Sequence, residues 1–399
     1  MCPAGPLIAG SLLRKGWRAA AAPIPVLDDL GRDLGGGAAV YLVTCAQRGG
    51  QTAALAAAAS PDDRRAAAAA SAAVEEWAAV AGTRRLLTAG RPWCAGALNA
   101  LATARAAVSE QAGRARAGGA QAGRTVHVCG ELAAPPEAAE ELARAGVVTT
   151  ATLDGIPQGD IVIFPAHGQP PAVRAEAVAR GLAVVDATCP FVAHAQDQAA
   201  RLAERGDDVV LIGHPGQRTA AAITGCAHRA AVVESAGGTA TLQVTDARRV
   251  SYLLQPGIPV EWSGPVTGAL RSRFPAVRGP NPDGFCYAPS DRAQTIKAIA
   301  ADCELMLVLG DADSPDARML SALARDGGAK TQVIAAAGDL TPAMLAGVSA
   351  LGLAESASAP SSLAGQVTTA LSGLGPLSVV RRQVSSQITE EQPSQPAPI

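Results

Sequence analysis

Residues 181–205 read GLAVVDATCPFVAHAQDQAARLAER. The apolar stretch 181–185 has the composition of a buried strand. Asp186-Ala187-Thr188-Cys189-Pro190 forms a turn, and 193–205 carries a helical pattern. Strand, turn and helix in this order are the repeating unit of α/β folds with parallel sheets. The same unit recurs on both sides. Arg85-Leu86-Leu87-Thr88 leads through Arg91-Pro92-Trp93-Cys94-Ala95-Gly96 into a helix expected over 97–107. Gly284-Phe285-Cys286-Tyr287-Ala288 leads into a helix expected over 292–301.

Further apolar runs at 161–164, 183–185, 208–212, 250–254, 305–309 and 331–336 predict buried parallel strands. The three cysteines stand 95 and 97 residues apart. Such spacing predicts three pseudo-equivalent α/β lobes with mainly parallel sheets, each donating one thiolate to a common centre. Residues 1–85 differ in composition and read as an N-terminal extension of unknown role. It holds a strand over 38–46 after the turn Leu34-Gly35-Gly36-Gly37, and alanine-rich helices near 51–59 and 62–80. The three-lobed domain is expected over 86–373, a loop over 113–123, and an unstructured tail over 374–399 that is plainest from 390 on.

The chain has 399 residues, 48% hydrophobic and 17% charged, with a formal net charge of −2. That composition belongs to a globular protein able to bury a full core. Near-zero charge argues against a general nucleic-acid or membrane-surface binder. No apolar stretch has the length of a membrane span, and the first ten residues lack the apolar core of a signal peptide. A cytoplasmic protein is expected. The eight cysteines are then buried, catalytic or metal-bound rather than a disulfide framework.

Cys94, Cys189 and Cys286 each sit at the mouth of a helix, whose positive end favours thiolate, the form that binds metal. Four thiolates saturate an iron–sulfur cluster and suit electron transfer. Three leave one iron open to a substrate oxygen. The plain alternative is three buried cysteines at helix starts. Cys45, after Val40-Tyr41-Leu42-Val43-Thr44, is another strand–cysteine–turn. It reads as a fourth ligand, a redox thiol or a buried side chain. Cys303, Cys129 and Cys226 read as structural, and Cys2 as incidental.

At these residues the chain resembles the 4-hydroxy-3-methylbut-2-enyl diphosphate reductase family (IspH, also called LytB). The resemblance covers roughly 85–372. Its motifs occur in family order: Trp93-Cys94-Ala95-Gly96, Ala166-His167-Gly168, Asp186-Ala187-Thr188-Cys189-Pro190, Leu211-Ile212-Gly213-His214, Cys286-Tyr287-Ala288 and Ala357-Ser358-Ala359-Pro360. It implies three α/β lobes around a central [4Fe–4S] cluster held by Cys94, Cys189 and Cys286. It also implies removal of an allylic hydroxyl with two electrons and protons, giving isopentenyl and dimethylallyl diphosphate. Electrons would come from a donor such as ferredoxin or flavodoxin, and the substrate is a small molecule. His167 matches a histidine that contacts the diphosphate. Ser314 matches the first residue of a Ser-Ser-Asn cradle, and Ser358 a serine that closes the same pocket. The quinolinate synthase type, a related three-cysteine architecture, lacks these ordered motifs.

The departures are equally specific. A second family histidine falls on Ala134 and a third on Gln217. The glutamate that relays protons falls on Thr219, and its assisting threonine on Pro256. The rest of the cradle becomes Pro315 and Asp316. Each hydrogen bond to a charged group is worth about 1.5–3 kcal/mol. Losing two imidazoles and an amide therefore removes about 5 kcal/mol, or roughly 10³–10⁴ in diphosphate affinity. Asp316 would add repulsion. A lost general acid costs about 10²–10⁴ in rate. These changes favour a relative with a kept cluster and a changed substrate, beside a reductase that keeps the family reaction in isoprenoid biosynthesis and a non-catalytic or electron-transfer cluster protein in which Cys45 closes the open iron. Arg218 is a candidate for a carboxylate or single phosphate, and Glu131 for a replacement proton donor. Both also fit plain surface roles, as does His194 on the helix after Cys189.

Overall fold

The computed structural model describes residues 2–19, 39–46, 52–60, 62–90, 92–116 and 123–386. Two compact units share the chain: Met1–Pro92 with Ala293–Gln383, and Trp93–Arg292 with Val384–Ile399. Three parallel sheets run through them, with five, four and three strands. The α/β class and the three sheets follow the expectation, although the lobes differ in size.

In the first unit the strand order is Lys330–Ile334, Leu305–Leu309, Ala350–Glu355, Arg84–Thr88, Leu377–Arg381, all parallel. Leu305–Leu309 is buried along its whole length, as a strand covered on both faces must be. Leu305, Leu307 and Leu309 join one hydrophobic cluster, while Met306 and Val308 join another. The first cluster contains Leu7, Leu55, Val74 and Trp77 from the N-terminal extension. The extension therefore covers one face of this sheet. Its helix Gly5–Arg14 comes so close to the turn at Ala337–Asp339 that a Cβ on Gly10 would lie 2.1 Å from the Gly338 carbonyl oxygen. Trp77 is fully buried and donates its indole N–H to Ser11 Oγ at 3.0 Å.

Two expectations change in this unit. The alanine-rich stretch near 51–59 is a strand, Thr52–Ala59, paired antiparallel with Ala39–Ala46. Alanine favours helix, but here its small side chains let the helix Arg64–Ala78 pack directly on the hairpin. The segment expected to begin the unstructured tail contributes the edge strand Leu377–Arg381, paired with Arg84–Thr88 and continued by Arg382 N–H to Thr88 O. Residues 387–399 and the glycines 35–37 lie outside the described residues. The expected loop over 113–123 begins as helix, since Ala95–Arg116 is continuous, and 117–122 lie outside the description.

The second unit holds the other two sheets. One orders Val148–Thr150, Val126–Cys129, Ile161–Phe164 and Ala183–Asp186; the other orders Val250–Leu254, Asp208–Ile212 and Ala230–Val233. Alternation again separates two cores per sheet, with Ile161 and Ile163 on one side and Val162 and Phe164 on the other. Val210 and Ile212 likewise face one cluster while Val209 and Leu211 face the next. Proline opens the helices Pro136–Arg144, Pro171–Ala179, Pro190–Glu204 and Pro315–Asp326. Its missing N–H costs nothing at that position, and its fixed φ suits the first turn. Among the described residues no helix is long and apolar enough to cross a membrane.

Candidate functional site

Cys94, Cys189 and Cys286 all belong to the second unit. Each stands where a helix begins. The Cys94 carbonyl accepts the first bond of Ala95–Arg116, from Leu98 N–H at 3.0 Å. Cys189 is the N-cap of Pro190–Glu204. Cys286 lies two residues before Ala288–Ala300. Burial raises the Cys189 thiol, and the N–H groups of Phe191 and Val192 point at its sulfur and oppose the rise. Burial likewise raises Cys286, opposed by Ala288 N–H and Gly257 N–H. Cys189 feels the charge of Cys94, and Cys286 feels both others. The three thiols therefore share one electrostatic neighbourhood. A Cβ on Gly96 would lie 2.7 Å from Cys189 Sγ, so glycine is required there for the Cys94 turn to sit against Cys189.

This donor set fits an iron–sulfur cluster. Thiolates at helix starts receiving backbone N–H bonds are what such a cluster needs, because those bonds balance its negative charge. Among the described residues no three His, Cys, Asp or Glu side chains are grouped as around a single metal ion. A cluster holds its thiolates on separate irons and so keeps them apart.

The His167 turn is built against the Cys189 turn. Cys189 N–H donates to Ala166 O at 3.0 Å. Gly168 has φ +75° and fits against Val192 and Thr188. Thr188 in turn is fixed by Asp186, whose Oδ1 accepts both its N–H at 3.0 Å and its hydroxyl at 2.5 Å, and by Arg174 Nη2 at 3.0 Å. Gln169 donates to Cys129 O at 2.6 Å and accepts from Gln196 at 2.9 Å through its carbonyl. His167 is half-buried. Its pKa is held below the ordinary histidine value by burial, with Glu131 acting against and Arg218 adding to the lowering. His167, Glu131 and Arg218 therefore sense one another. Arg218 lies over Gly130, whose φ is +115° and whose Cβ would stand 3.2 Å from Nη1. It also lines a cavity of about 350 Å³ with Cys129, Asp154, Gln169 and Glu176.

Ser314 and Ser358 belong to the first unit, at the C-terminal ends of neighbouring strands Leu305–Leu309 and Ala350–Glu355. Ser314 is an N-cap whose Oγ accepts from Ala317 N–H at 3.4 Å. Ser358 Oγ accepts from Asp311 N–H at 3.0 Å and lies 2.8 Å from Ser356 Oγ. Asp316 Oδ2 accepts from Ala357 N–H at 2.7 Å. Its carboxylate thus ties the Ser314 turn to the Ser358 turn, which the expectation of a simple repulsive charge did not foresee.

Sequence reasoning missed the polar network at the three-stranded sheet. Gln255, buried, accepts His214 N–H on Oε1 at 3.0 Å and donates to Gln217 Oε1 at 2.6 Å. His214 Nδ1 lies 2.7 Å from Glu234 Oε1, and its ring meets Trp262 edge-on at 5.2 Å. All these residues follow the C-terminal ends of parallel strands, where α/β folds bind ligands. That positional rule was the available signal. Thr219 is buried at 5% exposure, and Pro256 leads directly to Gly257 and its bond to Cys286. Ala134 packs against the core of the four-stranded sheet. His194 contacts Gln198 at 2.9 Å. Cys129 is buried, Cys226 donates to Ala222 O at 3.4 Å, and burial pushes Cys303 up to about 11. The Cys45 side chain lies outside the described residues.

Comparison with known proteins gives a consistent answer. The family model for "LytB protein" matches residues 86–372. The chain is 36% identical over 307 residues to "4-hydroxy-3-methylbut-2-enyl diphosphate reductase 2" of Mycobacterium bovis, covering 76% of this chain and 90% of that one. It is 38% identical over 242 residues to the reductase of Stenotrophomonas maltophilia, covering 59% and 77%. The solved diphosphate reductase of Plasmodium falciparum matches with a TM-score of 0.64 at 20% identity, covering 78% of this chain and 95% of that one.

Proposed function

Because the chain belongs to the LytB protein family, we propose that it is an iron–sulfur oxidoreductase that removes a hydroxyl group from a small substrate by reduction. The observation that carries this reading is the placement of Cys94, Cys189 and Cys286 at the starts of three helices, with Gly96 letting the Cys94 turn lie against Cys189 Sγ. In this reading the three thiolates hold a [4Fe–4S] cluster. When bound, that group supplies electrons and one iron able to act as a Lewis acid. The net change replaces C–OH by C–H, consumes two electrons and two protons, and releases water. The electrons come from a carrier protein of the ferredoxin or flavodoxin kind.

This chain's own residues bind and orient. His167, held neutral by burial, offers a hydrogen bond without a charge. Arg218 is the candidate for the positive charge near it, and Glu131 the candidate carboxyl group for passing a proton. Ser314 and Ser358 stay candidates for substrate contact. One set of observations favours a substrate other than hydroxymethylbutenyl diphosphate. The positions that resemble the family's third histidine and relay glutamate hold an amide locked to Gln255 and a buried threonine.

Anaerobic purification with iron analysis and electron paramagnetic resonance tests the cluster. Wild type should hold about four irons per chain, and a Cys189→Ala variant should lose the signal. Retention of the full signal in that variant overturns the ligand assignment. Reduced protein offered hydroxymethylbutenyl diphosphate tests the substrate. Slow or absent turnover is expected, and rapid turnover would overturn the reading of a changed pocket.

A further inference from the structure

The three-stranded lobe carries a second cavity, of about 460 Å³, on the far half of the helix Pro190–Glu204. Gln198, Arg201 and Arg205 form one wall, at helical spacings that put them on one face. Arg201 is twelve residues beyond Cys189, about 18 Å along the helix axis. The opposite wall is the segment 278–281, stitched to the edge strand Val250–Leu254 by Arg278 N–H to Val250 O at 3.1 Å and Tyr252 N–H to Arg278 O at 2.8 Å. A Cβ on Gly279 would lie 2.4 Å from the Tyr252 hydroxyl oxygen, so the loop lies flat on the ring.

The charges in this cavity are unbalanced. Three guanidiniums line it and no carboxylate does. Beneath them Asp207, 1% exposed, accepts from Arg205 Nη2 and from Ser251 Oγ at 2.7 Å. It lies 3.8 Å from Arg249 Nε. Asp207 thus fixes Arg205 and balances its charge. Arg205 also donates to Ser251 Oγ at 3.2 Å. The Arg201 and Arg278 guanidiniums donate no hydrogen bond among the described residues. The Arg278 charge also acts on Asp207, but both forks keep their N–H groups unspent, and on opposite walls of one concavity they match a ligand with several anionic oxygens, which guanidinium binds bidentately.

We infer that this cavity is a second ligand site, taking the polyphosphate group of a small phosphorylated metabolite between Arg201 and Arg278. The inference does not rest on the reading of the cysteine site. It predicts a ligand separate from the substrate.

Calorimetric titration of the full chain with inorganic pyrophosphate, and separately with ATP, tests it. Saturable binding is expected that falls at least tenfold in Arg201→Ala and in Arg278→Ala, and disappears in the double variant. Arg201→Lys, which keeps the charge and loses the fork, should fall between. His167→Ala should leave this binding in place. Unfolding curves of the variants check that these exposed substitutions leave the fold intact. Absence of saturable binding overturns the inference. So does binding that survives in the double variant, or binding that is lost in His167→Ala.

Discussion

Gln255 fixes the orientation of the Gln217 side chain. The backbone N–H of His214 can only donate, so the Gln255 atom it meets at 3.0 Å is the oxygen. The other end of Gln255 is therefore its amide nitrogen, and it donates to Gln217 Oε1 at 2.6 Å. That leaves the Gln217 amide nitrogen as an outward donor with no charge and no titration. Gln255→Leu removes the acceptor of a backbone N–H at a buried position and should cost about 1–3 kcal/mol. Gln217→Leu, at an exposed position, should cost less than about 1 kcal/mol. Urea unfolding of both variants measures the difference. Equal costs would mean that the bond from His214 N–H to Gln255 adds nothing to stability beyond the bond that the two glutamines share.

Gly96 sits between the Cys94 turn and Cys189. A methyl group there would lie 2.7 Å from Cys189 Sγ and 3.1 Å from its Cβ. Alanine is the better helix former in the first turn of Ala95–Arg116. The clash costs about 1–3 kcal/mol against a helix gain of about 1 kcal/mol, so Gly96→Ala should lower thermal stability only slightly while cluster content falls by more than half. Iron per chain after anaerobic reconstitution gives the answer. A full complement of iron in this variant would remove Cys189 from the neighbourhood of the Cys94 turn.

These residues show what the sequence could and could not reveal. Continuous apolar runs such as Leu305–Leu309 and Ile161–Phe164 were legible because a strand covered on both faces leaves no place for a polar residue. The placement of the three cysteines at helix starts was legible because one strand–turn–helix context repeats at even spacing. Thr52–Ala59 was misread as helix because alanine's local preference is helical, and only pairing with Ala39–Ala46 overrides it. The Gln255–Gln217 bond joins residues 38 apart in sequence through two polar side chains without any periodicity. Asp316 read as a free charge because its partner, Ala357 N–H, lies 41 residues away.

The extension should behave as part of the first unit's core. Trp77 is fully buried among Leu7, Leu86 and Leu309, with its indole N–H bonded to Ser11. Trp77→Ala should cost about 3–5 kcal/mol, the range for removing a large buried aromatic side chain. Ser11→Ala, which leaves the indole N–H without its partner, should cost about 1–2 kcal/mol. Chemical denaturation followed by far-ultraviolet circular dichroism measures both. A Trp77→Ala variant as stable as wild type would show that the extension only rests on the sheet.

Acid should act on the three-stranded lobe through Asp207. Burial alone would raise the pKa of its carboxyl group, but the bonds from Arg205 and Ser251 outweigh that and hold it below the ordinary aspartate value. A carboxylate with a depressed folded pKa stabilises the fold above its unfolded value of about 3.9. That contribution is lost as pH falls through the lower, folded value. Asp207→Asn should therefore be less stable than wild type at pH 7, by about 1 kcal/mol, since the exposed Arg205 partner is screened by water. The gap should hold at pH 5 and close only below about pH 4. Urea midpoints at pH 7, 5 and 3 trace this. A gap that narrows between pH 7 and 5 would place the titration on another group. A gap that persists undiminished at pH 3 would leave the Asp207 charge with no part in the stability of the lobe.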